Sequence, residues 1–255
     1  MSFAVCIVAI APVRIEPTHK SEMVTELLFL ESVTVLERLQ DFIKVKCHYD
    51  GYEGWCQQIQ LVETAFLPET YGWHHQPINE VIINNQLTRV SMGTPWNDTS
   101  ISLPPFDISF KEAKPPAHFD FTEQNIQRIT RAFLGTPYLW GGKSVFGIDC
   151  SGFTQQVFKL FNIVLPRDAY QQAALGKSIG FLEEANCGDL AFFDNEEGHI
   201  THVGILFNTH TIIHASGYVK IDAIDAMGII STLHSKRTHR LRLIKRFKEK
   251  FPCLL

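Results

Sequence analysis

The chain lacks a hydrophobic run long enough to cross a membrane, because none of its apolar segments reaches the roughly 20 residues that a spanning helix requires. It also lacks a convincing signal peptide, since no Lys or Arg precedes the apolar residues 3–11 and no clear cleavage site follows them. We interpret residues 3–10 as a β-strand followed by a turn at Pro12. We therefore expect a cytoplasmic protein, or a periplasmic or extracellular one if a leader has been removed.

Positive charge is not in excess. The 255 residues include 23 Lys and Arg and 27 Asp and Glu, which gives a formal net charge of −4. Nucleic-acid-binding domains concentrate basic side chains on one surface, whereas the basic residues 236–250 are interrupted by apolar ones. We expect no nucleic-acid partner. Hydrophobic residues make up 45% of the chain, which is enough for a globular core.

Clusters of cysteine and histidine are also missing. The six cysteines include no CxxC pair, and His74-His75 alone does not make a zinc site. A chain of this length does not need disulfides to fold, so we expect free thiols. The alternative of a pairing between Cys47 and Cys56 across a hairpin stays open.

Cys150 stands where a thiol could open a helix. It follows Gly147-Ile148-Asp149 and precedes Ser151-Gly152-Phe153, at the end of a glycine-rich loop. Because a helix N-terminus stabilises negative charge, it would favour the thiolate, which is the form that attacks a carbonyl carbon. An arbitrary cysteine is more often a small buried hydrophobe. The position of Cys150, rather than its residue type, indicates a nucleophile.

Two histidines in β-rich runs could supply the base that a thiol needs. His202 lies in residues 201–207 and His214 in residues 211–215, and a hairpin connection at residues 208–210 would join the two strands. Antiparallel pairing would bring the two rings together, so that one takes the thiol proton while the other orients the first. This is the arrangement of a catalytic triad.

Five short motifs follow one another along the second half of the chain. They are Tyr138-Leu139-Trp140-Gly141-Gly142, Asp149-Cys150-Ser151-Gly152-Phe153, Gly188-Asp189-Leu190-Ala191-Phe192-Phe193, His202-Val203-Gly204-Ile205 and Ile213-His214-Ala215. In this order they resemble the NlpC/p60 family of cell-wall cysteine peptidases, over roughly residues 120 to 250. Five motifs in register are far more specific than any one of them alone.

The resemblance implies a role for each matching side chain and implies no metal ion or organic cofactor. Cys150 would be the nucleophile, His202 the general base that later protonates the leaving amine, and His214 the third member that holds the imidazole. Tyr138 would donate a hydrogen bond near the oxyanion, a contact whose loss typically costs about 3 kcal/mol. From the residues alone, Tyr138 could also be a core aromatic, and Trp140 could line the cleft or pack beneath it.

Residues 165–172 carry the resemblance one step further. They are similar to the segment of the subgroup that joins SH3-like domains to the peptidase and requires a free N-terminal L-alanine. Asp168 would pair with that α-ammonium group, a contact worth about 1.5–3 kcal/mol, with Ser151 and Tyr52 as its neighbours. From the residues alone, Asp168 could instead cap a helix that starts at Ala169, and Tyr52 could be an exposed hairpin aromatic.

Turn and strand signals predict three segments. Residues 1–63 alternate short β-rich runs around an Asp50-Gly51 turn, and their Gly54-Trp55 strand is similar to that of bacterial SH3-like domains. Residues 64–118 are broken repeatedly by proline and form either a second, degenerate SH3-like domain or a structured linker, with a boundary at Lys114-Pro115-Pro116. Residues 119–255 would be the catalytic domain.

The elements of the catalytic domain follow from periodicity and caps. A helix would run from a Thr122 cap to Gly135, with Ile126, Ile129, Phe133 and Leu134 on one face. A second helix would cover residues 151–161 with Cys150 at its first turn. Strands from residues 189–220 and 238–247 would form an antiparallel sheet. The expected fold is a papain-like α+β domain preceded by small all-β SH3-like barrels.

The resemblance thus implies a cysteine peptidase that acts on murein-derived peptides, and we expect a monomer. It would hydrolyse the bond from γ-D-glutamate to meso-diaminopimelate or L-lysine in tri- or tetrapeptides with a free N-terminal L-alanine. Because no leader is evident, we expect a role in recycling imported wall fragments. Two other classes stay open. The chain could be a non-catalytic wall-binding protein that acts through its SH3-like domains, or a papain-like amidase or acyltransferase, since one fold hosts several chemistries.

Overall fold

The computed structural model describes residues 2–97, 100–111, 115 and 118–247. Lys114, Pro116 and Cys253 lie outside the described residues. Contacts divide the chain into two compact units: unit 1 comprises the described residues of Met1–His118 together with Trp140–Phe146, and unit 2 those of Phe119–Leu139 and Gly147–Leu255. The three domain boundaries expected from the sequence stay predictions.

The first part of unit 1 is an antiparallel seven-stranded sheet in the order β3-β2-β6-β5-β4-β1-β7. Its strands are β1 (Ser2–Cys6), β2 (Ile10–Arg14), β3 (Met23–Leu28), β4 (Ser32–Leu39), β5 (Phe42–Cys47), β6 (Glu53–Gln57) and β7 (Leu61–Thr64), with a 3₁₀ turn at Gln58–Gln60. The expected single strand from residue 3 to residue 10 is wrong in extent, since the chain leaves β1 after Cys6 and pairs again from Ile10.

Two glycines are required by the geometry around β6. Gly51 has φ +74° in the turn between β5 and β6, a conformation that side chains with a Cβ rarely adopt. A Cβ on Gly54 would lie 2.6 Å from Cγ1 of Val13, so β2 can approach β6 only because residue 54 has no side chain. The enclosed core contains Val13, Ile43 and Val45, and Tyr52 packs against it.

The described residues between 65 and 111 form six short strands. They are β8 (Gly72–Trp73), β9 (Ile78–Ile83), β10 (Gln86–Ser91), β11 (Pro95–Trp96), β12 (Ile101–Leu103) and β13 (Phe106–Phe110). Four of them pair in the order β10-β9-β13-β12, and β11 pairs with β8. Val81, Val90 and Ile108 are buried in one cluster with Phe29 and Leu30. Whether this segment is a second SH3-like domain stays a prediction.

Residues 140–146, with β14 (Lys143–Ser144), are bound into unit 1 although flanking residues on both sides belong to unit 2. Gly141 has φ +76°, and a Cβ there would lie 2.5 Å from the backbone oxygen of Met23. Lys143 is buried: its Nζ lies 2.9 Å from Oε2 of Glu31, and its backbone N–H donates to Oε2 of Glu26 at 2.8 Å. Close backbone approach and a buried ion pair hold the segment in place.

The described residues of unit 2 form three α-helices: α1 (Glu123–Arg131), α2 (Cys150–Lys159) and α3 (Ala169–Ala173). Thr122 caps α1 as expected, since its side chain accepts from the backbone N–H of Asn125. However, α1 ends at Arg131 and a turn leads to Gly135, so Leu134 is 43% exposed rather than on the buried face. All of α2 is buried, with Phe153 and Phe158 in the core.

The sheet of unit 2 has seven strands in the order β16-β22-β17-β18-β19-β20-β21, and β21 also pairs with β22. The strands of this unit are β15 (Gly147–Ile148), β16 (Lys177–Ile179), β17 (Leu190–Asp194), β18 (Ile200–Asn208), β19 (Thr211–Ser216), β20 (Tyr218–Asp225), β21 (Gly228–Ser231) and β22 (Lys236–Arg246), with a 3₁₀ turn at Leu182–Glu184. Helix α2 packs against β18 and β19. Among the described residues, none of the helices has the length and apolarity to span a membrane.

Candidate active site

Cys150 is the first residue of α2. Asp149 caps this helix, since its Oδ1 accepts from the backbone N–H of Gly152 at 2.7 Å. The backbone N–H groups of Ser151 and of Val203, the residue that follows His202, act to lower the pKa of the Cys150 thiol. The start of α2 therefore places the thiol near β18, against which the helix packs.

A buried ion pair holds the loop in front of the nucleophile. Nη1 of Arg167 lies 2.9 Å from Oδ1 of Asp149, and Nη2 lies 2.5 Å from Oδ2. Nη1 also donates to Oγ of Ser151 at 3.0 Å. All three side chains are buried. The Ser151 hydroxyl is therefore bonded inside the protein, and its predicted contact with a substrate stays a prediction.

The Cys150 thiol is the protonated form in the unliganded site. Burial raises its pKa to about 12, with a further rise from the Asp149 carboxylate, and the Val203 N–H, Arg167 and the Ser151 N–H lower it only in part. Burial therefore opposes the expected stabilisation of the thiolate at the helix N-terminus, because it raises the pKa by more than the neighbouring N–H groups and Arg167 lower it. A neighbouring base must take the proton during the reaction.

The two histidines meet across β18 and β19. His214 pairs with Gly204 in the antiparallel register, and Nε2 of His202 lies 2.9 Å from Nδ1 of His214. Both rings are buried. A Cβ on Gly204 would lie 2.9 Å from Cβ of His214 and 2.8 Å from Cδ1 of Ile212, so glycine at this position leaves room for the second histidine.

Asp222 lies next to His214 and extends the row that begins with His202 and His214. It was not among the residues predicted from the sequence. Nε2 of His214 lies 3.1 Å from Oδ2 of Asp222, and Oδ1 accepts from the backbone N–H of Thr232 at 2.8 Å. Strand β20 pairs Lys220 with His214 and Asp222 with Ile212, so Asp222 shares a sheet face with His214. The available signal was a carboxylate in the strand that follows the one carrying His214.

A third histidine, also missed, lies against the first. The ring of His239 in β22 stacks on that of His202, with centroids 4.2 Å apart and planes 25° from parallel. A groove of about 320 Å³ opens beside these rings, lined by Tyr138, Thr201, His202, Ala215, Ser216, Gly217 and His239. No sequence pattern singles out His239, which stands in a basic strand and reaches the groove only through sheet pairing.

All three rings are neutral at neutral pH. Burial lowers the pKa of His202 well below its usual value, and the neighbouring His214, His239 and Lys220 lower it further. Burial also lowers the pKa of His214, although Asp222 opposes this, and burial lowers the pKa of His239 to about 4. A neutral imidazole beside a protonated thiol is the state from which a general base acts.

Comparison with known proteins identifies the two domains of this architecture. Residues 135–238 match the NlpC/P60 family, and residues 13–61 match the bacterial dipeptidyl-peptidase Sh3 domain. Residues 135–238 belong to the NlpC/P60 family. The resemblance found in the five motifs is confirmed, as is the expected fold class of an NlpC/P60 domain preceded by an SH3-like β domain.

Two curated relatives resemble most of the chain. The gamma-D-glutamyl-L-lysine dipeptidyl-peptidase of Bacillus subtilis (strain 168) is 29% identical over 242 residues, which cover 86% of this chain and 80% of the relative. Dipeptidyl-peptidase 6 of Lysinibacillus sphaericus is 25% identical over 257 residues, which cover 87% of this chain and 92% of the relative. Both relatives are therefore matched along most of their length.

A solved structure supports the fold. The crystal structure of an NlpC/P60 family protein from Bacillus cereus ATCC 10987 superposes with a TM-score of 0.80 and 23% identity, over 97% of this chain and 100% of that one. At this identity the match shows the fold alone.

Tyr138 lines the groove of the NlpC/P60 domain. Its backbone N–H donates to the oxygen of Gly217 at 2.9 Å, and it forms an isolated bridge with Ile148. Burial raises the pKa of its phenol, and Cys150 and Asp149 raise it further. The hydroxyl therefore stays protonated and available as a donor, although its predicted contact with an oxyanion stays a prediction.

Asp168, Tyr52 and Trp140 are the other three residues predicted to contact the substrate. Asp168 in the NlpC/P60 domain stands at the N-cap of α3, and its backbone N–H donates to Oε1 of Gln171 at 3.3 Å. Tyr52 and Trp140 belong to unit 1; the Trp140 indole is 61% exposed and donates to Oε1 of Glu22 at 2.6 Å. Their roles toward a substrate stay predictions.

The five described cysteines, Cys6, Cys47, Cys56, Cys150 and Cys187, are free thiols, in agreement with the sequence expectation. Within the described ranges, no cluster of three or more His, Cys, Asp or Glu side chains has the geometry to hold a metal ion.

Proposed function

We propose that this protein is a cysteine peptidase that hydrolyses the bond from γ-D-glutamate to a diamino acid in murein-derived peptides with a free N-terminal L-alanine. The observation that carries the proposal is the buried row of His202, His214 and Asp222, of which His202 lines a groove, in a domain whose helix α2 begins with Cys150 and packs against β18 and β19. A cysteine peptidase of the triad type uses this combination of nucleophile, base and orienting group.

The choice of bond is supported by the relatives. The Bacillus subtilis and Bacillus cereus proteins are named gamma-D-glutamyl-L-lysine dipeptidyl-peptidases, and the similarity extends over 86% and 87% of this chain. The combination of an NlpC/P60 domain with the Sh3 domain of bacterial dipeptidyl-peptidases points the same way. The diamino acid would be L-lysine or meso-diaminopimelate.

The first half-reaction would form a thioester. His202 takes the Cys150 proton as the sulfur attacks the γ-carbonyl carbon, and the oxyanion receives hydrogen bonds from the Cys150 N–H and the Tyr138 hydroxyl. The intermediate collapses as the imidazolium of His202 gives its proton to the amine of the leaving diamino acid. The L-Ala-γ-D-Glu part remains bound to sulfur.

The second half-reaction would restore the thiol. A water molecule loses a proton to His202 as it attacks the thioester, and collapse expels the sulfur, which recovers its proton from the imidazolium. His202 therefore alternates between base and acid, and the neutral state of the ring in the free protein is the state that both attacks require.

Recognition of the free amino terminus is assigned to Asp168. This half-buried carboxylate would pair with the α-ammonium of L-alanine. In intact murein that nitrogen is acylated and uncharged, so the specificity would restrict the enzyme to released peptides. We therefore propose a role in recycling wall peptides inside the cell.

The test is hydrolysis of matched peptides. The protein is incubated with L-Ala-γ-D-Glu-meso-diaminopimelate, its L-lysine analogue and the N-acetylated form of each, and released diamino acid is quantified by mass spectrometry. We expect release from the free peptides, at least 100-fold slower release from the acetylated ones, and none with Cys150→Ala. Continued release by Cys150→Ala would refute cysteine catalysis.

The same assay distinguishes the other classes. Wall binding without release of any diamino acid would indicate a binding protein, whereas transfer of the L-Ala-γ-D-Glu group to an added amine in preference to water would indicate an acyltransferase.

A further inference from the structure

Asp222 is the buried carboxylate at the far end of the histidine row. It is 4% exposed, its Oδ1 accepts from the Thr232 N–H at 2.8 Å, and its Oδ2 lies 3.1 Å from Nε2 of His214. Nζ of Lys220 lies 3.9 Å from Oδ2. Burial acts to raise the pKa of Asp222, but hydrogen bonds from His214 and Thr232 outweigh it and lower the pKa to about 2. At neutral pH Asp222 is therefore ionised and can only accept hydrogen bonds.

An acceptor at this position decides where the protons of both rings lie. Nε2 of His214 faces the carboxylate and must carry a hydrogen, so Nδ1 of the neutral ring has a lone pair. That lone pair faces Nε2 of His202 at 2.9 Å, which must then carry a hydrogen in turn. The remaining nitrogen of the neutral His202 ring, Nδ1, is left with a lone pair.

We infer that Asp222 is a positioning residue that sets the tautomers of His214 and His202, so that Nδ1 of His202 is unprotonated and able to receive the Cys150 proton. The inference rests on the proposed function only in naming Cys150 and His202 as the reacting pair. It makes the catalytic row one residue longer than the Cys, His, His set that the sequence motifs predicted.

The surroundings of Asp222 make one substitution unusually informative. In Asp222→Asn, the Thr232 N–H still requires an acceptor, so the amide oxygen takes the place of Oδ1 and the amide NH₂ faces Nε2 of His214. His214 must then accept at Nε2 and carry its hydrogen on Nδ1. His202 accepts from it at Nε2 and carries its own hydrogen on Nδ1, which blocks the base.

The experiment compares Asp222→Asn and Asp222→Ala with a matched control, Asp225→Asn. Asp225 lies on the same strand but is partly exposed and paired with Arg237 at 2.6 Å. Long-range ¹H–¹⁵N correlation spectra of the imidazole nitrogens identify the tautomer of each ring. The rate at which iodoacetamide alkylates Cys150, followed by mass spectrometry, measures how readily the thiol loses its proton. Alkylation of Cys187 in the same sample is the internal reference. Peptide hydrolysis gives kcat and KM.

We expect hydrogen on Nε2 of both rings in the wild type and on Nδ1 of both in Asp222→Asn. In that variant kcat should fall on the order of 10³–10⁴-fold with little change in KM, the size of effect seen when a wrong tautomer is imposed on a triad histidine. Alkylation of Cys150 should slow at least 10-fold. Asp222→Ala, which no longer imposes either tautomer, should lose less activity than Asp222→Asn, and Asp225→Asn should match the wild type.

Several outcomes would overturn the inference. One is hydrogen on Nδ1 of His214 in the wild type, which is decisive even if Asp222→Asn does not fold. Another is Asp222→Asn with wild-type tautomers and kcat, and a third is Asp222→Ala as impaired as Asp222→Asn. If the wild type released no diamino acid while its tautomers and alkylation followed the expectation, the proposed function would fail and the inference about Asp222 would stand.

Discussion

At the scale of single residues, proton positions matter more than charge in this site. The Cys150 thiol and the His202 ring are both held in their neutral forms by burial. The sequence motif does not contain this information, because the burial of the two side chains depends on tertiary contacts such as those of α2 with β18 and β19. A protein with this pair is expected to depend on general-base removal of the thiol proton rather than on a preformed thiolate.

The pH dependence of kcat/KM should follow from the same two groups. His202 must be neutral to act as a base, and its pKa lies below 6.5, so activity should persist below that pH and fall only as pH drops through the lowered value. Deprotonation of Cys150 at about 12 should cause no loss of activity between pH 7 and 9. Rates measured from pH 4 to 9 test this; an acid limb centred at or above 6.5 would contradict it.

The Asp149–Arg167 pair should be essential for stability. Arg167→Met leaves the buried Asp149 carboxylate without its guanidinium partner, which typically costs about 3–5 kcal/mol in free energy of unfolding. Urea denaturation gives this value. Arg237→Met is the control, since it breaks an ion pair with Asp225 at the surface and should change the midpoint little. Equal effects in the two variants would refute the importance of the buried pair.

At the scale of elements, the site depends on the distance between the paired strands β18 and β19. Their register places Gly204 opposite His214, and the row of His202, His214 and Asp222 lies on one face of the consecutive strands β18, β19 and β20. The helix supplies the thiol and the sheet supplies the base, so neither element is sufficient alone. A change in the spacing between β18 and β19 should therefore affect catalysis without replacing any side chain of the row.

Gly204→Ala tests this spacing. The new Cβ would lie 2.9 Å from Cβ of His214, so the histidine or the strand must shift. We expect a loss of about 1–3 kcal/mol in free energy of unfolding and at least a 10-fold fall in kcat. Gly180→Ala is the control, because its Cβ would meet only Oε2 of Glu184, at 3.6 Å. Wild-type kcat in Gly204→Ala would show that the sheet tolerates the methyl group.

At the scale of the whole molecule, chain order and compact units do not coincide. Residues 140–146 lie between two parts of unit 2 in sequence but are packed in unit 1, where Lys143 is 1% exposed. The Tyr138-Leu139-Trp140-Gly141-Gly142 motif is therefore divided, with Tyr138 in one unit and Gly141 in the other. The motif links the two units along the chain.

Lys143→Met should show what this segment contributes. It removes the ammonium partner of the buried Glu31 carboxylate, and we expect a loss of about 3–5 kcal/mol in free energy of unfolding, measured in urea on the full chain. Lys44→Met, which breaks a surface contact with Glu53 at 3.7 Å, is the control. An unchanged midpoint in Lys143→Met would show that the ion pair only breaks even with an apolar side chain at this position.

Much of the architecture was predictable from the sequence. Strand β4, the Asp-Gly hairpin, the Thr122 cap and the start of α2 at Cys150 follow from alternation, turn chemistry and capping, which act within a few residues. The same local patterns placed Cys150, His202 and His214 as candidates, and motif order predicted the family. These features need no knowledge of which strand lies beside which.

Only the tertiary structure decided the rest. Asp222 and His239 carry no motif, and Arg167, although it lies in the segment 165–172, was given no role from the sequence; each reaches the site through contacts between residues far apart in the chain. Residues 140–146 join unit 1 for the same reason, since Lys143 forms an ion pair with Glu31, which lies 112 positions away in the chain. Local sequence determines which residues can act as nucleophile and base. Burial, register and the resulting tautomers depend on contacts that local sequence does not contain.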